Sequence, residues 1–141
     1  MPTYQYFKPD EPRFHDAGFY RDRPVSDHIH EPGHRERLLR SLYDVAFVLD
    51  IDPESKTVCD LGCGNGGFLA ELGARFPMVR SWGYDLSPLA VEDGKEKYGA
   101  AISLRDFVNE EVEFGDVVVM TEVLEHLPNP EALLRRIRGK S

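Results

Sequence analysis

Residues 57–69, Thr-Val-Cys-Asp-Leu-Gly-Cys-Gly-Asn-Gly-Gly-Phe-Leu, restrict the fold of this chain more than any other stretch. A short apolar run comes first, then a carboxylate, a glycine-rich turn and the start of a helix. Gly62, Gly64 and Gly66 have no Cβ, so the backbone can turn sharply and approach a ligand closely. A helix from about Gly67 to Arg75 then points its unpaired N–H groups at that ligand. Gly62, Gly64 and Gly67 also fit the G-x-G-x-x-G spacing of dinucleotide loops, so the glycines alone do not say which nucleotide binds.

Asp60, two residues before Gly62, separates the ligands. A pyrophosphate is doubly negative, and a carboxylate at the mouth of its loop repels it. S-adenosylmethionine has no phosphate and carries an ammonium and a sulfonium, which Asp60 attracts. The run Asp60-Leu61-Gly62-Cys63-Gly64-Asn65-Gly66 closely resembles motif I of the class I S-adenosylmethionine-dependent methyltransferases. The competing explanation is a structural glycine turn in another α/β protein.

A chain of 141 residues makes one domain and buries roughly 70% of its unfolded surface. With 41% hydrophobic and 30% charged residues, its composition is ordinary for a globular protein. No apolar run approaches the roughly 20 residues of a membrane span, and the first residues do not read as a secretory leader. Cys59 and Cys63 form a C-x₃-C pair without a second pair, so reduced thiols in a cytoplasmic protein are expected rather than a zinc site. The net charge of −8 argues against a broad phosphate-binding face, so nucleic acid is not the expected partner. The basic clusters at Arg35, Arg37 and Arg40 and at Arg135, Arg136, Arg138 and Lys140 read as solvated helix faces and a basic tail.

Residues 1–33 form the first unit, an irregular arm rich in Pro, Asp, Arg, His and aromatics, with Tyr4, Tyr6, Phe7, Phe14, Phe19 and Tyr20 available to pin it down. Residues 34–141 are expected to form the cofactor-binding unit. From His34 to about Asp50, Leu38, Leu39, Leu42, Tyr43, Val45, Ala46 and Leu49 recur at helical steps. Strands are expected at Thr57–Asp60, Arg80–Asp85, Ala101–Leu104 and Val117–Met120, with helices between. Ser87-Pro88 marks a helix start, with Ser as N-cap, and Gly99 its stop. A last helix begins near Pro130 or Glu131. Alternating β and α elements imply an α/β, Rossmann-like, doubly wound parallel sheet. The resemblance implies strand order 3-2-1-4 for these four strands, out of seven in the family fold. That leaves the sheet incomplete and its fourth strand at an edge, to be covered in a fragment's missing remainder, by a second copy in a homodimer or by a partner protein.

The resemblance carries over position by position. Asp60 matches the acid that reads the methionine amino group, and Gly62, Cys63 and Gly64 would pass under the methionine and ribose. Asp85, ending the second strand, is placed as the ribose-binding acid, whose carboxylate accepts both hydroxyls; its competing role is an ordinary helix-leading Asp. Leu86 would pack on the adenine, and Asp106, backed by Phe107, would accept from the adenine amino group or else be a surface loop residue. Thr121 joins the cofactor-binding set. The run Thr121-Glu122-Val123-Leu124-Glu125-His126-Leu127-Pro128 is similar to one in small-molecule methyltransferases, among them the O-methyltransferases of ubiquinone biosynthesis. Glu122, Glu125 and His126 are the catalytic candidates, with His126 as general base.

Small-RNA 2′-O-methyltransferases carry a similar Glu-x-x-Glu-His that binds a metal with a second distant His. Here His28, His30 or His34 would have to substitute, and no metal is expected. Closing the cofactor pocket and capping the neighbouring helix is the preferred role for Glu122, Glu125 and His126. No Asn-Pro-Pro-Tyr or Pro-Cys follows the fourth strand, which disfavours DNA amino-methylation and C5-cytosine chemistry. The expected activity is S-adenosylmethionine-dependent methyl transfer, by in-line displacement, to an oxygen, nitrogen or carbon of a small-molecule or other acceptor. The alternatives are a truncated module that binds cofactor or partner without turnover and, disfavoured by Asp60, a nicotinamide-dependent oxidoreductase.

Overall fold

The computed structural model describes residues 32–52, 57–99 and 101–140. Residues 1–31, where an N-terminal arm was expected and which include His28 and His30, lie outside the described residues. The elements run α1 (Pro32–Ile51), β1 (Thr57–Leu61), α2 (Gly67–Arg75), β2 (Arg80–Asp85), α3 (Pro88–Tyr98), β3 (Ile102–Leu104), β4 (Val117–Met120), a 3₁₀ turn (Leu124–His126) and α4 (Pro130–Lys140). The four strands form one parallel sheet in the order β3-β2-β1-β4, as expected. Boundaries differ from the sequence reading by a residue or two: α1 starts at Pro32, β1 extends to Leu61 and β3 starts at Ile102.

Alternation along β1 sorts the core onto two faces of the sheet. Val58 packs with Leu38, Leu42 and Val45 of α1, Phe68, Leu69 and Leu72 of α2, and Val91 of α3. Cys59 and Leu61 point the other way, into a cluster with Trp82, Tyr84, Phe107 and Leu133 of α4. Asp60, between Cys59 and Leu61, therefore faces the side covered by α1 and α2, opposite Gly83 of β2 and Val119 of β4. The α3 signals behave as read: the Ser87 hydroxyl accepts from Ala90 N at 3.2 Å, and Gly99 closes the helix at φ 58°.

Gly94 decides how closely α3 lies on the glycine loop. A Cβ there would run into the backbone carbonyl of Asn65 and come within 2.5 Å of Ile102 Cδ1. Asn65, at 1% exposure, is locked from both ends: its Nδ2 donates to Asp93 of α3 at 3.0 Å, and its Oδ1 accepts from Gly67 N at 3.3 Å. The loop is thus held by the helix that follows β2 as well as by its own turn.

Candidate functional site

Parallel strands bring their C-terminal ends to one edge of the sheet, where α/β folds place ligands. Asp60 lies near the end of β1, Asp85 ends β2, Asp106 follows β3, and Thr121 follows β4. The glycine loop crosses this edge with Gly62, Gly64 and Gly66 at φ of 75°, 58° and 84°. Gly62 N and Cys63 N both donate to the Tyr84 carbonyl, at 2.8 and 3.1 Å, which ties the loop to β2. A Cβ on Gly62 would meet Val123 Cγ2 at 2.7 Å, so the segment after β4 packs directly on the loop.

Asp85 braces this edge. Its Oδ2 accepts from Gly64 N and its Oδ1 from Ser87 N, each at 2.8 Å. With the Leu86 N–H also acting on this carboxylate, about one of its four lone-pair positions is left for a further donor. Burial raises the Asp85 pKa above the ordinary 3.8, against the opposing hydrogen bonds from Ser87, Gly64 and Leu86. Leu86 beside it is half-buried.

Asp60 is in a different state. It is 5% exposed, and no donor reaches its carboxylate among the described residues. Burial, and then the negative charge of Asp85, push its pKa well above 3.8. A buried carboxylate without a donor is costly unless a cation or donor arrives. Asp60 lines a pocket with Gly62 and Cys63, roofed by Arg37, Leu38 and Ser41 of α1 and bordered by Phe68 and Thr121. The pocket therefore has a buried carboxyl group within its wall and a cationic guanidinium on α1.

Arg37 and Ser41 were not singled out by the sequence reading as site residues. Arg37 Nη1 lies 3.2 Å from Glu122 Oε1, and its Nη2 lies 2.6 Å from His34 Nδ1. Ser41 Oγ is 3.3 Å from Thr121 Oγ1. These contacts tie α1 to the segment after β4 across the pocket.

The other expected residues occupy distinct places. The Asp106 carboxylate organises its own turn, accepting from Val108 N at 3.1 Å, Asn109 N at 3.3 Å and Asn109 Nδ2 at 2.8 Å, while Phe107 is buried. Glu125 and His126 share the 3₁₀ turn with Oε1 and Nε2 3.9 Å apart. The helix cap expected from Glu122, Glu125 and His126 falls instead to Asn129, whose Oδ1 accepts from Ala132 N at 3.2 Å. Among the described residues, no group of three or more His, Cys, Asp or Glu side chains is placed to hold a metal ion. Both cysteines are buried free thiols. Burial, reinforced by Asp60, pushes Cys59 up to about 12 and raises Cys63 well above 9.0, so neither is poised as a thiolate.

Residues 33–140 match a family model described as a methyltransferase domain. The chain is 32% identical over 118 residues to a tRNA (guanine-N(7)-)-methyltransferase from Drosophila mojavensis, covering 79% of this chain and 45% of that protein. It is 33% identical over 88 residues to a ubiquinone biosynthesis O-methyltransferase from Nitrosomonas europaea, covering 57% of this chain and 37% of the relative. The chain thus spans less than half the length of these curated relatives. The fold is similar to that of magnesium protoporphyrin IX methyltransferase from Synechocystis with bound SAM, at TM-score 0.62 and 21% identity, covering 92% of this chain and 64% of that one.

Proposed function

The chain belongs to the methyltransferase domain family, and from that premise we propose that residues 34–141 bind S-adenosylmethionine and direct its methyl group to an acceptor. The observation that carries this reading is Asp60, a buried carboxylate that no donor reaches among the described residues, in a pocket roofed by Arg37. A zwitterionic amino acid fits that pair: Asp60 takes the ammonium and Arg37 the carboxylate. Gly62, Cys63 and Gly64 let the ligand lie against backbone, Thr121 borders the methionine end, and Asp85 accepts a ribose hydroxyl with its remaining lone pair. Leu86, Phe107 and Asp106 are assigned to the adenine end. When bound, S-adenosylmethionine supplies a sulfonium-activated methyl group open to in-line attack.

The chain's own contribution is chiefly positioning. Glu122 holds Arg37 over the pocket. His126, with Glu125 beside it, is the group we assign to take the proton of an acceptor hydroxyl or amine. The acceptor we propose is a small molecule, in keeping with the net charge of −8 and the similarity to ubiquinone biosynthesis O-methyltransferases. The buried free thiols suit a reducing, cytoplasmic setting. Among the described residues no helix is long and apolar enough to cross a membrane. Among those residues β4 pairs only with β1, which leaves its other edge open to strand pairing.

Calorimetric titration with S-adenosylhomocysteine, beside NAD, tests the reading. Binding of the first and not the second is expected, and loss of that binding in Asp60→Ala. No binding of S-adenosylhomocysteine by the wild-type chain would sink it. Transfer of a labelled methyl group to a small-molecule extract, run beside tRNA, assigns the acceptor class. Cofactor binding without label transfer to either would favour the module that does not turn over.

A further inference from the structure

Arg136 reaches across from α4 to the loop after β3 and binds three of its carbonyl oxygens. Its Nη1 donates to Phe107 O at 2.9 Å and Val108 O at 2.7 Å, and its Nη2 to Glu110 O at 2.7 Å. The guanidinium also lies 6.0 Å from the Phe114 ring centroid, and Leu133, one turn earlier in α4, is buried in the same cluster as Phe107. With these carbonyls turned toward Arg136, the N–H groups of Val108 and Asn109 turn toward the Asp106 carboxylate. One loop is thus gripped from two sides, by a cation on its carbonyls and by an anion on its amides.

Strand order says what this loop faces. Asp60, Asp85 and Asp106 belong to three successive positions across the sheet, β1, β2 and the end of β3. Neighbouring strands stand about 4.8 Å apart, so this row spans roughly 10 Å. A ligand with its amino-acid end at Asp60 and its ribose at Asp85 carries its base toward the loop after β3. Three of the lone-pair positions on the Asp106 carboxylate are filled by the turn, leaving about one for an exocyclic amine.

We infer that Arg136 is a positioning residue for the base-reading end of this site, holding loop 106–110 so that Asp106 presents its remaining acceptor to the adenine amino group. This rests on the cofactor reading above. The planar fork of Arg suits several carbonyls at once, and a lysine ammonium cannot reproduce that arrangement.

The test compares S-adenosylhomocysteine with S-inosylhomocysteine, in which the adenine amino group is replaced by a carbonyl. Wild-type chain, Arg136→Ala and Arg136→Lys are titrated with both by calorimetry, with melting curves to check folding. The wild-type chain is expected to prefer the adenine compound, and both variants to lose about ten-fold in affinity for it, with the preference narrowed. Faster amide hydrogen exchange at Val108 and Asn109 in Arg136→Lys supplies a second readout if the alanine variant does not fold. Unchanged affinity and preference in the variants overturn the inference alone, as does equal loss for both nucleosides, which a merely structural role produces. Equal wild-type affinity for the two nucleosides also overturns it, and no wild-type binding overturns the site reading as well.

Discussion

The Arg37 guanidinium stands 3.2 Å from the carboxylate of Glu122, and Glu122 is the one non-glycine residue with positive φ, 56°, among the described residues. A left-handed backbone costs a non-glycine residue roughly 1–2 kcal/mol. The ion pair, with side chains 38% and 56% exposed, returns only about 0–1 kcal/mol. The strained conformation is therefore not repaid by the pair's own stability. It is better explained by what the pair positions, the guanidinium in the lining of the pocket that also contains Asp60.

Glu122→Gly separates those two effects. Glycine relieves the backbone while removing the carboxylate, so stability in urea should stay within about 1 kcal/mol of wild type. Affinity for S-adenosylhomocysteine should nevertheless fall about three- to ten-fold, because Arg37 loses its brace. A large stability loss with unchanged affinity would place Glu122 in the fold and not in the site.

Gly94→Ala tests the packing of α3 on the glycine loop. The added methyl has to displace the Asn65 backbone or α3 itself, and overpacking of this kind costs about 1–3 kcal/mol or more. Because Asn65 and Gly64 share the loop, cofactor affinity should drop together with the melting temperature. A variant with wild-type stability would show that α3 can shift at no cost.

What was legible in the sequence was local chemistry. Ser87, Pro88 and Gly99 bound α3 through their own side chains and backbone, and the apolar run Val117–Met120 needed no distant partner to be read as a strand. Asp60 and Asp85 could be placed because strand ends and glycine turns put them on one edge. Arg37 and Ser41 could not. Helical periodicity picked out Leu38, Leu39, Leu42, Tyr43, Val45, Ala46 and Leu49 on α1; the structure buries Leu38, Leu42 and Val45, half-buries Leu39, Ala46 and Leu49, and leaves Tyr43 exposed. Which residues of that helix hang over the pocket depends on where α1 docks, a long-range fact. Asn65 and Asp93 were missed for the same reason, being 28 residues apart and joined only when α3 folds back. The segment after β4 was read as closing the cofactor pocket and capping the neighbouring helix, but Asn129, nearer the start of α4, takes the capping role.

Asp85→Asn probes a carboxylate with two structural duties. Asp85 accepts from Gly64 N and from Ser87 N on separate oxygens, and an amide keeps only one acceptor. One part-buried N–H is left unpaired, at a cost of about 1–3 kcal/mol. Cofactor affinity should fall by more than ten-fold, since a ribose hydroxyl then meets an NH₂ group. Asp85→Glu is expected to fail as well, because the longer side chain cannot reach both amides from β2. Calorimetry on either variant with near wild-type affinity would remove Asp85 from the ribose site.

Asp60 predicts opposite pH dependences for stability and for binding. Burial first, and the charge of Asp85 second, raise its folded pKa well above 3.8, so the folded chain holds this proton more tightly than the unfolded one. The stability of the ligand-free chain is therefore full below the unfolded value and declines as pH rises through the raised folded value. Asp60→Asn should flatten the fall in melting temperature as pH rises above the ordinary carboxylate range. Asp85, also raised by burial, should leave a shallower slope in that variant. An ammonium ligand favours the carboxylate form, so affinity for S-adenosylhomocysteine should rise with pH over the same interval and binding should release protons. Calorimetry in buffers of different ionisation enthalpy measures that release directly. In Asp60→Asn, binding should be weak and its dependence on pH largely gone. Wild-type affinity independent of pH, with no proton released, would mean that the ligand's cation does not meet Asp60.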